Sequence, residues 1–98
     1  SFNFGPSIKN SKPVKDIMRE CSKNLKNFKY TMSNTNFFHE HRLLQLNCDE
    51  AKKKISWKPK LNFKKTISFT TDWYVNFYNK QDMFKFTKKQ IIEFIKII

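Results

Sequence analysis

A single glycine, Gly5, serves this entire 98-residue chain. The dinucleotide fingerprint of a doubly wound domain needs three glycines: one for the tight turn, one for backbone approach to the pyrophosphate and one for helix packing. Phosphate-cradling loops are equally glycine-rich. Neither can be built from these residues, so the chain does not hold a dinucleotide by that route. It also shows no Ser/His/Asp order and no paired acidic motif.

At this length and 39% hydrophobic content the chain supports one core of modest size. Phe2-Asn3-Phe4 alternates as a strand does, and Gly5-Pro6 ends it, because proline has no N–H to give to a ladder. A strand that begins at Ser1 with no initiator methionine reads as a cut, and a longer parent protein is expected. Val14, Ile17, Met18, Cys21 and Leu25 have the spacing of an amphipathic helix, with Ser11 or Lys12 near its cap and Pro13 in the first turn. Phe28, Tyr30 and Met32 alternate with Lys29 and Thr31 and predict a half-buried strand; a second short strand is expected from Arg42 to Leu46.

Asn47-Cys48-Asp49-Glu50 has the form of a capping box and predicts a short helix to about Ile55. Trp57-Lys58-Pro59 breaks it, since the residue before proline is pushed out of the helical region. From Asn62, residues Phe63, Ile67, Thr70, Tyr74 and Phe77, joined by Thr66 and Trp73, line one stripe of the longest helix. Thr87-Lys88-Lys89-Gln90 reads as a second capping box. It opens a final helix whose Ile91, Ile92, Phe94, Ile95 and Ile98 cover most of its circumference, so that helix needs a partner surface. The expected fold is a small α+β lobe, mostly helices with a few short strands.

The net charge of +12 points first to a polyanion partner. The basic residues are scattered, however, and the densest run is Lys52-Lys53-Lys54, which favours a solvated surface over a nucleic-acid interface. Tyr30, Trp57, Trp73, Tyr74 and Tyr78 interleave with lysine, yet aromatics at helical spacing are more often core than stacking platform. Cys21 and Cys48 form no C-x-x-C pair and no signal sequence is present, so reduced thiols and a cytoplasmic location are expected. The apolar run Ile91 to Ile98 is interrupted by Glu93 and Lys96 and is too short to span a membrane. His39-Glu40-His41-Arg42 groups metal-binding and proton-transfer side chains, but its histidines lack the four-residue separation of a helical zinc motif, and a polar surface loop is the simpler reading.

Taken in order, these segments resemble the last third of CDP-glucose 4,6-dehydratases, which are extended short-chain dehydrogenases/reductases. The resemblance runs through Phe2-Asn3-Phe4-Gly5-Pro6, His39-Glu40 with Leu43-Leu44-Gln45-Leu46-Asn47, and Ala51 with Ile55-Ser56-Trp57-Lys58-Pro59. It continues through Thr70 to Tyr74, Asp82-Met83, and Thr87 with Gln90-Ile91. Single elements such as W-x-P are weak; the whole series, covering nearly all of the chain, is specific.

The resemblance implies a cytoplasmic, homo-oligomeric lyase of deoxysugar and polysaccharide synthesis. Such an enzyme uses NAD to oxidise CDP-glucose at C4, eliminates water across C5 and C6, and returns the hydride to C6. Its NAD loop and Tyr/Lys catalytic pair belong to a Rossmann part outside these residues. Residues 1–98 then form one carboxyl-terminal substrate-binding subdomain, inactive alone, with no catalytic residue and no metal site. Asn3 would lie near the diphosphate or ribose, His39 near the diphosphate, and Glu40 would accept from ribose hydroxyls. Arg42 is a chemically reasonable phosphate partner, although it matches no family motif.

The sequence departs from the family pattern in three places: Asn47 replaces the aspartate and Glu50 the basic residue of the L-D-x-x-K-A element, and Ser56 replaces the glycine of L-G-W. Two other readings stand beside this one: the lobe of another nucleotide-sugar dehydratase or epimerase, and a small basic module that binds nucleic acid or self-associates.

Overall fold

The computed structural model describes residues 1–7, 12–26, 28–29 and 46–98. Among these, four helices form and no strand does: α1 Val14–Asn24, α2 Asp49–Ile55, α3 Phe63–Tyr78 and α4 Met83–Ile97. The mostly helical expectation holds and the strand at residues 2–4 does not. A strand exists only through backbone pairing, and Phe2-Asn3-Phe4 is tied down by side chains instead. The Phe4 ring meets Trp57 edge-on at 5.0 Å, and Asn3 Nδ2 donates to the Asn47 carbonyl at 3.4 Å. Of the other two expected strands, Phe28, Lys29 and Leu46 are in none; residues 30–32 and 42–45 lie outside the described residues.

Gly5 has no positive φ, so its value is not conformational freedom. Nor is it room: a Cβ there would meet Leu46 Cβ at 3.4 Å and Cys48 Sγ at 3.7 Å, both ordinary contact distances.

α1 begins one residue later than expected. Pro13 is its N-cap, with φ −65° and extended ψ, and the Pro13 carbonyl accepts from the Asp16 and Ile17 amides at 3.0 and 3.3 Å. Ile17, Met18 and Cys21 are half-buried, and the helix packs against α3.

The capping box expected at Asn47 is replaced by a shorter device. Asn47 Oδ1 accepts from the Asp49 amide, two residues on, at 2.9 Å, while Cys48 holds the N-cap position. Glu50 does not reach back; it pairs with Lys54 at 3.3 Å. At the other end Ser56 adopts the left-handed conformation (φ 55°, ψ 29°), which lets the Trp57 amide close on the Ala51 carbonyl at 3.1 Å. A Cβ is penalised in that conformation. Ser56→Gly is therefore expected to raise stability by about 1 kcal/mol in urea unfolding; an unchanged or lower midpoint would count against the assigned turn.

Asn62 caps α3 as its position predicts, its Oδ1 accepting from the Lys65 amide at 2.8 Å. The packed face of α3 is rotated from the expected stripe. Thr70, Tyr74 and Phe77 are exposed, whereas Ile67 and Trp73 are half-buried and Thr71 is only 4% exposed. Threonine is tolerated inside because its hydroxyl reaches the Ile67 and Ser68 carbonyls of its own helix, at 2.9 and 3.2 Å.

α4 starts five residues earlier than the expected Thr87 box. Asp82 is its N-cap, accepting from the Phe84 and Lys85 amides at 3.1 and 3.2 Å, and a carboxylate there complements the helix dipole. Thr87 instead lies on the face toward α3, where its hydroxyl accepts from Trp73 Nε1 at 2.9 Å. Gln90 Nε2 donates to the Phe69 carbonyl at 2.8 Å, a second clamp between the two helices.

Ala51 is the only fully inaccessible apolar residue among those described, while Phe84 and Ile98 stand 80% and 60% exposed. No helix among the described residues is long and apolar enough to cross a membrane.

Candidate functional site

The first concavity of the structure follows from how the amino-terminal segment lands. Phe4 on Trp57, Asn3 on Asn47, and the weak Cys48 thiol contact to the Gly5 carbonyl (3.9 Å) fasten residues 3–5 between the start of α2 and the loop after it. Pro59, two residues beyond Trp57, keeps that loop from becoming helix. The result is an open cavity of about 970 Å³ walled by Gly5 to Ser7, Leu46 to Asp49 and Trp57 to Asn62.

Three lysines, Lys52, Lys58 and Lys60, line this cavity against one acidic residue, Asp49. Lysine presents a compact point charge suited to phosphate oxygens. A second, more apolar cavity of about 530 Å³ shares the Trp57 to Leu61 wall. Phe4, Ile17, Phe63, Ile67 and Phe94 form its body, and Lys12, Lys58 and Lys60 again line it. The loop between α2 and α3 thus turns lysines toward both hollows. Such a surface has the charge and the apolar lining that suit an anion with an apolar or aromatic body.

Of the expected site residues, Asn3 is placed beside the first cavity, with its amide on the Asn47 carbonyl. His39, Glu40 and Arg42 lie outside the described residues. Lys52, Lys58, Lys60 and Asn62 were not expected at a site: Lys52 stood out only in the densest basic run, Asn62 only as the start of the long helix, and Trp57-Lys58-Pro59 as a helix breaker and a piece of the family resemblance. The available signal was the pair of lysines flanking Pro59, since proline fixes the backbone that presents them.

The Cys21 thiol is poorly disposed to act as a nucleophile. Cys21 and Cys48 are unbridged, and burial first, then the Glu20 charge, push the Cys21 thiol above its ordinary pKa, which disfavours the reactive thiolate. No group of three or more potential metal ligands occurs among the described residues.

Comparison with protein-family models, with curated proteins and with solved structures gives no match.

Proposed function

We propose that the chain is the nucleotide-sugar-binding lobe of a CDP-glucose 4,6-dehydratase. The observation that carries this reading is the ordered series from Phe2-Asn3-Phe4-Gly5-Pro6 to Thr87 and Gln90-Ile91. Several members of the series also make the contacts on which the fold depends. Phe4 meets Trp57, Trp73 donates to Thr87, Asp82 caps α4, and Gln90 clamps α4 to α3. A shared series of packing and capping residues is what a shared architecture requires, which supports the reading at the level of fold. The lysine-lined cavity beside Asn3 supports it at the level of ligand, since a diphosphate is an anion of the right kind.

In this reading the lobe binds and the chemistry lies elsewhere. Lys52, Lys58 and Lys60 draw in the diphosphate, Asn3 donates to a phosphate or ribose oxygen, and Glu40, His39 and Arg42 complete the nucleotide end. NAD does not fit these residues, because one glycine cannot supply its loop. The chain alone is expected to turn over no CDP-glucose, and the complete enzyme to be a cytoplasmic homo-oligomer.

In a full-length protein carrying this segment, Asn3→Ala and Glu40→Ala are each expected to raise KM for CDP-glucose about tenfold, the effect of losing one hydrogen bond to a charged group. NAD content should be unchanged. An unaltered KM in both variants would remove them from the site. Turnover of a different sugar nucleotide, with none of CDP-glucose, would reassign the lobe to a sister dehydratase or epimerase.

A further inference from the structure

α4 carries a second apolar stripe that its packing on α3 leaves unused. Thr87 and Gln90 face α3, and Phe94 faces the groove beside it. Roughly a quarter-turn around the helix lie Phe84, Ile91, Ile95 and Ile98, exposed by 80, 54, 60 and 60%. With Lys88 they follow one another at spacings of four, three, four and three residues, the seam of a heptad repeat. Lys88 sits within that seam, Ile92 (46% exposed) borders it, Lys85, Lys89 and Lys96 run along its solvent side, and Glu93 is the only acidic side chain of the helix.

We propose that this seam docks an acidic amphipathic helix of a partner protein. The partner's apolar residues cover Phe84, Ile91, Ile95 and Ile98, and its carboxylates meet Lys88 and the lysine edge. Charge selects this occupant. A second copy on the seam would set lysine edge against lysine edge in a chain of net charge +12, and would bury Lys88 against apolar side chains or its own counterpart. A lysine at one seam position costs stability while specifying the partner, and a facing carboxylate offsets that cost. The lysines occupy one edge of the stripe and α3 closes the other, so the surface is a ledge for a single helix rather than a symmetric face for a bilayer. The inference is independent of the nucleotide-sugar reading, since no residue of the seam lines either cavity.

The test titrates the 98-residue chain into a labelled synthetic heptad peptide with leucine at its seam and glutamate at the flanking positions, read by fluorescence anisotropy at low salt. Saturable binding is expected, and Lys88→Glu should weaken it about tenfold. A matched peptide with lysine in place of glutamate should bind the parent poorly and gain on Lys88→Glu. Ile95→Asp should abolish binding with helix content retained by circular dichroism; should that variant unfold, the charge reversal at exposed Lys88 still decides. Equal binding of the two peptides overturns the proposal. So does a dimer of the chain in sedimentation that Ile95→Asp dissociates, or binding confined to phosphatidylglycerol vesicles.

Discussion

Trp73→Ala is expected to lower the stability of the chain by about 3 kcal/mol, at the low end for tryptophan truncation because the side chain is half-buried. Three interactions disappear together. The indole stacks on Phe77 at 5.5 Å and 9°, meets Tyr74 edge-on at 5.4 Å, and donates to the Thr87 hydroxyl across the α3–α4 interface at 2.9 Å. Only Ala51 and Thr71 are buried among the described residues, so little other packing compensates. A loss of this size is a large fraction of the stability of any small domain and corresponds to a fall in Tm of about 15 °C. Trp73→Phe separates the terms: it keeps the ring contacts and loses the N–H, at about 1 kcal/mol. Urea unfolding followed by circular dichroism measures both, and a Trp73→Ala midpoint close to the parent's would show that α4 is held by something else.

The helices themselves were legible because their apolar residues recur with the right period, and Asn62 marked the start of α3 to the residue. The errors came where one residue type serves two purposes. Thr87 with Gln90 looks like a capping box in sequence, but the threonine is an acceptor for Trp73 and the glutamine a donor to α3. The cap was Asp82, whose carboxylate alone satisfies two amides. Thr71 was passed over for the core because the expected stripe was drawn one position aside, through Thr70, and its hydroxyl is satisfied inside its own helix. The expected strand at Phe2 to Phe4 failed for a different reason: alternation shows that a segment can pair, and says nothing of whether a partner is present. The lysines of the cavity were invisible because their convergence depends on Pro59 and on Phe4 landing against Trp57, contacts distant in sequence.

That landing also connects the fold to the proposed site. Trp57→Ala is expected to cost about 2 kcal/mol of stability, and its consequence at the site should be larger than its distance from any ligand suggests. Trp57 walls both cavities and is the ring on which Phe4 rests, so its loss frees the residue next to Asn3. A double-mutant cycle between Phe4→Leu and Trp57→Leu should return a coupling of about 1 kcal/mol, the usual worth of an edge-on aromatic pair. In a full-length protein, Trp57→Ala should raise KM for CDP-glucose about as far as Asn3→Ala does, and the double variant should be little worse than either, because both act through the position of one amide. Additive effects on KM would mean that Trp57 acts on the ligand independently of Asn3. A coupling near zero would mean that the amino-terminal segment is held by the Asn3 and Cys48 contacts, and that Phe4 only rests on a surface formed without it.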